Sequence, residues 1–290
     1  MVVPPSPEGK AECWYTEYHT ADLRLSLRVE RFLLTKRSKY QRIDIFDSHE
    51  MGRVLALDSK IQLTERDEFM YHEMLVHPAM LSHPDPREVL LIGGGDGGAA
   101  REILKHPVER LVHVELDEEV VKACREFLPS LACSYDDPRH ELVIGEGFQF
   151  LRRQPDESFD VVIVDSTDPI GPARALFSGE FYDEVRRALR PGGVAAAQGE
   201  TPFLYPDVTS GLVRVFRERF SSVRVFVSFV PSYQSGMWAF VVGSDSSLDL
   251  DRGELERRMA ERRIETRFYN PDVHLGLSSL PNFLRELLGS

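Results

Sequence analysis

The stretch V-L-L-I-G-G-G-D-G-G, Val89 to Gly98, decides the fold. An apolar run ends in a glycine cluster carrying a single carboxylate, Asp96, and the helical pattern A-A-R-E-I-L-K-H follows. A buried strand that turns through glycines into a helix is the opening unit of a nucleotide-binding α/β sheet. Downstream the alternation continues. L-V-H-V-E-L-D, E-L-V-I-G, F-D-V-V-I-V-D and G-V-A-A-A-Q read as strands, with helical patterns between them. Asp207 to Phe220 reads as a helix, followed by two strands, V-R-V-F-V-S-F-V and M-W-A-F-V-V-G. This predicts a doubly wound, mostly parallel α/β sheet with an antiparallel pair at its edge.

Upstream the period changes to two. Leu23–Leu34, Gln41–Asp47 and Arg53–Asp58 alternate apolar and polar residues, predicting a small antiparallel β domain. Thr64 then reads as the N-cap of a helix, with acidic residues in its first turn and Pro78 and Pro84 at its end. The linker His83–Pro86 sets the expected boundary. Residues 1–83 form the β domain with a helical segment that gates the site, and 84–290 form the catalytic domain.

Composition narrows the partners. The 290 residues are 42% hydrophobic and 28% charged, which suits a globular core. A net charge of −12 argues against nucleic acid, whose phosphates require Lys and Arg. It accords with cationic small molecules or simply with solubility. The three cysteines show no C-x-x-C spacing, so neither a disulfide framework nor a zinc site is expected. With no signal-like N-terminus and no apolar run near ~18 residues, the expectation is a cytoplasmic protein outside the membrane.

Gly93, Gly95 and Gly98 fit G-x-G-x-x-G, and Glu115 ends the next strand, where a carboxylate accepts both hydroxyls of a ribose. NAD enzymes and adenosylmethionine enzymes share that pattern. Asp96 separates them: a carboxylate inside the loop repels a pyrophosphate and attracts an ammonium or sulfonium. Glu146-Gly147 end the following strand, placed either to bond an adenine amino group or to stand as a solvated loop acid. Asp165 and Asp168, in D-S-T-D-P-I-G-P, end a central strand and face the same crevice as Asp96. A polycationic substrate explains three converging acids without His or Cys metal partners; Mg²⁺, the rival, works mostly with phosphates.

Together G-G-G-D-G-G, E-L-D, D-S-T-D-P-I-G-P, T-E-R-D-E-F-M-Y-H-E-M and P-S-Y-Q-S-G resemble the polyamine aminopropyltransferases, the spermidine synthases. The likeness runs from Trp14 to Leu288, includes Y-N-P-D-V-H and S-L-P, and implies a Rossmann-like fold of the adenosylmethionine-methyltransferase type. It implies transfer of an aminopropyl group from decarboxylated S-adenosylmethionine to a diamine, favouring putrescine, with 5′-methylthioadenosine released. Neither metal nor cofactor takes part, the donor being a co-substrate. It also implies that Gln41, Glu115, Glu146-Gly147 and Pro172 hold the nucleoside, and that Asp96 holds the aminopropyl ammonium. Tyr71, His72, Asp168, Gln198 and Tyr233 would hold the amine, with Asp165 as proton acceptor. Glu146 stands where the family usually has Asp, Ser59 where it has Gly, and Thr167 where Ser is frequent. A homodimer or homotetramer built through the β meander is expected. Agmatine, cadaverine or spermidine as acceptor, a methyltransferase and a non-catalytic scaffold are the competing readings.

Overall fold

The computed structural model describes residues 12–167 and 171–289. The chain divides into two compact units, 1–66 and 67–290. The first holds strands β1 (Cys13–Tyr18), β2 (Arg24–Arg37), β3 (Arg42–Ser48), β4 (Gly52–Leu57) and β5 (Lys60–Thr64). They pair antiparallel in sequence order. Alternation sends Tyr15, Val29, Phe46, Val54, Ala56 and Ile61 into one apolar cluster, and Tyr15 stacks on Phe46 at 4.6 Å.

The second unit begins with helix α1 (Glu68–Ser82). There follow β6 (Glu88–Gly93), α2 (Gly98–Ile103), β7 (Arg110–Glu115), α3 (Glu118–Phe127), α4 (Pro129–Ala132), β8 (His140–Ile144), α5 (Gly147–Arg152) and β9 (Phe159–Asp165). Then come α6 (Gly179–Ala188), β10 (Leu189–Gln198), α7 (Pro206–Arg217), β11 (Ser222–Phe229), β12 (Met237–Ser244), α8 (Arg252–Arg262), α9 (Pro271–Leu277) and α10 (Asn282–Leu288). The sheet order is β11-β12-β10-β9-β6-β7-β8. Strands β10 to β8 run parallel, and β12 and β11 add the antiparallel edge. The expected α/β class is thus observed.

Two-residue periodicity places the cores. In β9, Val161 and Ile163 face a layer containing Met74, Leu75 and Met80 of α1. Val162 and Val164 face the opposite layer, with Phe181, Tyr182 and Phe216. Each such buried side chain contributes roughly 1.5–3 kcal/mol of transfer free energy.

Three local readings change. Thr64 ends β5 rather than capping a helix, and Asp67 is the N-cap residue of α1. Pro78 lies inside α1. The helix belongs to the second unit, so the division falls after Arg66 and not at the His83–Pro86 linker. Pro191-Gly192-Gly193 is absorbed into β10 at a register shift between Leu189 and Val194, because a bulge accommodates residues that a regular ladder rejects.

Candidate active site

The β6–α2 turn forms the floor of the site. Gly93, Gly94 and Gly97 have positive φ (81°, 75° and 90°), a region costly for other residues. A Cβ at Gly94 would stand 2.7 Å from Asp165 Oδ2, so the bare backbone is what lets the end of β9 approach the loop. Gly95 passes against Glu115 at the end of β7.

Helix α1 supplies the facing wall. Tyr71 and His72 are both buried. The Tyr71 hydroxyl donates to Asp165 Oδ1 at 2.7 Å. His72 Nε2 lies 3.3 Å from Asp96 Oδ1, and its Nδ1 lies 2.7 Å from Glu68 Oε2. Glu68 in turn is gripped by both terminal nitrogens of Arg101, at 3.1 and 2.9 Å. Burial alone would strip the imidazole of its proton, but Asp96 and Glu68 outweigh it and push His72 up to about 10. His72 is therefore a cation at neutral pH.

The carboxylates respond oppositely. Burial pushes Asp96 up, yet the His72 charge and hydrogen bonds from His72, the Gly98 N–H and its own N–H hold it below its ordinary range. Asp165 has less help. Burial first, then the Asp96 charge, push it up to about 6 against the pull of His72 and Tyr71. Its Oδ2 is buried and accepts no hydrogen bond among the described residues. Burial likewise pushes Glu115 up to about 7, despite the Asp117 N–H donated to its Oε1 at 2.8 Å. The four acids Glu68, Asp96, Glu115 and Asp165 thus outnumber the two cations His72 and Arg101, and the surplus is negative. His72, Asp96 and Asp165 bring donor atoms within 4.8 Å of one another, as a divalent metal would require.

The other expected residues divide. Tyr233 packs its ring 5.4 Å from Tyr71 and 4.7 Å from Trp238. The Gln198 amide is committed to backbone: Nε2 donates to Ser166 O at 3.1 Å, and Oε1 accepts from Glu200 N at 2.9 Å. It ties β10 to the loop after Asp165. Glu146 caps α5, accepting from Phe148 N and Gln149 N at 3.0 and 2.8 Å, and so is more than a solvated acid. A Cβ on Gly147 would stand 2.4 Å from Ile92 Cγ2. Pro172 falls in the 3₁₀ turn Gly171–Phe177. Gln41 belongs to the first unit, in a turn closed by Ser38. Asp168 lies outside the described residues.

Sequence reading missed Glu68 and Glu200. Glu68 precedes His72 by four residues, one helical turn, which was the available signal. Glu200 is buried just beyond Gln198 with φ at 65°. A non-glycine held in that region costs on the order of 1–3 kcal/mol, the kind of strain that concentrates at functional sites.

Known proteins bear on this geometry. A family model described as spermine/spermidine synthase domain matches residues 68–252, and one described as spermidine synthase tetramerisation domain matches 13–65. The polyamine aminopropyltransferase of Moorella thermoacetica is 44% identical over 276 residues, 95% of this chain and 96% of that protein. The polyamine aminopropyltransferase of Thermoanaerobacter sp. (strain X514) is 42% identical over 277 residues, 95% and 98% respectively. A spermidine synthase solved in complex with the transition-state analogue AdoDATO superposes with a TM-score of 0.91 at 40% identity, covering 96% of this chain and 95% of that one. The spermidine synthase of Thermotoga maritima gives 0.88 at 39%, covering 96% and 94%. An acid-lined glycine turn on this sheet, matched across nearly the whole chain, leaves one conclusion: the chain belongs to the spermine/spermidine synthase family of polyamine aminopropyltransferases.

Proposed function

We propose that the enzyme moves the aminopropyl group of decarboxylated S-adenosylmethionine onto putrescine, giving spermidine and 5′-methylthioadenosine. The observation that carries this is Asp165 Oδ2, buried beside Gly94 without a donor and next to a second acid. An acceptor so placed calls for a hydrogen-bearing cation. A primary amine supplies it.

Glu115 receives the ribose hydroxyls, Glu146-Gly147 the rest of the nucleoside, and Asp96 the aminopropyl ammonium. The sulfonium leaves as a neutral thioether, so no acid is needed behind it. The difficulty lies in the nucleophile: an amine titrating near ~10.4 costs about 4–5 kcal/mol to hold neutral at pH 7. Asp165, pushed up to about 6 by its enclosure, is a better base than an exposed aspartate. Positioned general bases contribute roughly 10²–10⁴-fold, and alignment of the two reactants up to about 7–11 kcal/mol. Tyr71 aims the carboxylate, Tyr233 walls the amine, Asp168 completes its seat, and Gln198 fixes the loop that follows Asp165. No cofactor or metal enters the scheme.

The first unit is inferred to join copies of the chain, since it exposes Trp14 (53%), Tyr18 (61%) and Phe32 (46%). A cytoplasmic location accords with three free cysteines. Among the described residues, no helix is long and apolar enough to cross a membrane.

The test is an amine panel assayed by methylthioadenosine release with decarboxylated adenosylmethionine. Putrescine should give the highest kcat/KM. A larger value for agmatine, cadaverine or spermidine would reassign the acceptor, and tighter binding of intact adenosylmethionine would favour methyl transfer.

A further inference from the structure

The carbonyl side of the glycine turn is held from behind by one side-chain cluster. Tyr135 donates its hydroxyl hydrogen to Gly95 O at 2.8 Å, and Ser134 Oγ donates to Gly97 O at 3.1 Å. His113 Nε2 lies 2.7 Å from Gly93 O. A carbonyl only accepts, so that nitrogen carries the ring hydrogen. His140 packs beside it, with Nε2 3.0 Å from His113 Nδ1 and Nδ1 2.8 Å from Ser134 O. Tyr135 stacks on both rings, at 4.9 Å from His140 and 5.8 Å from His113. Ser134 and Tyr135 sit in the 3₁₀ turn Cys133–Asp136, outside every motif that marks the site.

A trans peptide is planar, with its C=O and N–H pointing to opposite sides. Drawing back the Gly95 carbonyl therefore turns the Asp96 N–H forward, and drawing back the Gly97 carbonyl does the same for the Gly98 N–H. The first of those peptides leads directly into the Asp96 Cα that bears the side chain, and the second presents the Gly98 N–H, which donates to Asp96 Oδ1 at 2.7 Å. We propose that Tyr135 and Ser134 are positioning residues for Asp96: they set the two peptide planes that aim its carboxylate at the donor's ammonium. This rests on the reading that Asp96 seats that ammonium.

The experiment compares two ligands in the full-length enzyme. Decarboxylated adenosylmethionine carries the ammonium; 5′-methylthioadenosine lacks it. Tyr135→Phe should raise the KM for the donor about tenfold, which is ~1.4 kcal/mol, while the Kd for methylthioadenosine and the KM for the amine stay within about twofold. Should Tyr135→Phe fail to fold, Ser134→Ala carries the same comparison through Gly97. Equal losses for both nucleosides would mean general loosening of the turn and overturn the proposal, as would no change in either. Asp96→Asn separates the premises. If it leaves the donor KM unchanged, the ammonium seat itself is misassigned. If it raises that KM while Tyr135→Phe does not, only the positioning role fails.

Discussion

Tyr71 and Asp165 meet across the sheet and α1 with one hydrogen bond of 2.7 Å, and that bond uses only one of the two carboxylate oxygens. The other is left for substrate. Asp165→Asn should therefore lower kcat by at least ~10²-fold, the usual contribution of a positioned base. Methylthioadenosine should bind with unchanged Kd. Near-normal turnover would remove Asp165 from its role. The variant should also be at least as stable as the wild type at pH 7.5 in a thermal melt. An acid whose folded pKa is raised, here from 3.8 to about 6, favours the folded state when protonated and loses that benefit as pH rises through this window. Asparagine carries no such charge.

The pH profile follows from the same pair. In the free enzyme the base must be ionised, so kcat/KM for the amine should fall below about pH 6. The Tyr71 hydroxyl favours the ionised form, so Tyr71→Phe should move this acid limb to higher pH. A limb that stays put or moves down would contradict the assignment.

Glu68→Gln should be severe despite lying one step away from the turn. Burial opposes its charge, but His72 and Arg101 hold Glu68 below the ordinary carboxylate range. Removing one partner of a buried ion pair costs about 3–5 kcal/mol. His72, raised to about 10 in the intact site, should titrate well below that value in an NMR titration. The sign is checkable too. Stability from a raised histidine is fully present below about pH 6.5 and is lost as pH rises toward 10. The stability gap between wild type and variant should accordingly narrow over that range in denaturant melts.

Assembly is tested at the first unit. Trp14 and Tyr18 are both on β1 and largely exposed. Replacing both by Asp should shift the sedimenting mass toward that of the 33.1 kDa chain. An unchanged multimer would place the interface elsewhere.

Local chemistry was legible in the sequence, and long-range pairing was not. The turn from Gly93 to Gly98 could be read because its strand, glycines and helix are contiguous. Thr64 carries the local signature of a helix cap, whereas Asp67, the true N-cap residue of α1, does not cap through its side chain. The Asp67 carboxylate turns instead to the N–H and hydroxyl of Ser232, at 2.7 and 3.1 Å. No local pattern announces a partner so far along the chain. Glu73 is a similar case: it accepts three N–H groups, from Arg267, Phe268 and Tyr269, each at 2.8 Å. The helices α8 to α10 carry no comparable signal, because their strand-free stretch lacks the alternation that marks the sheet.

Gly98 and His72 stand on different helices, α2 and α1, with β6 between them in the chain, yet a Cβ on the glycine would come within 2.3 Å of the imidazole Cε1. Residue 98 is thereby a limit on what residue 72 can be. With a ring at 72, only a hydrogen fits at 98; with a serine at 72, an alanine at 98 would find room. The two positions constitute a single choice made in two places along the chain, and it decides whether the loop carboxylate has a cation standing beside it before any substrate arrives.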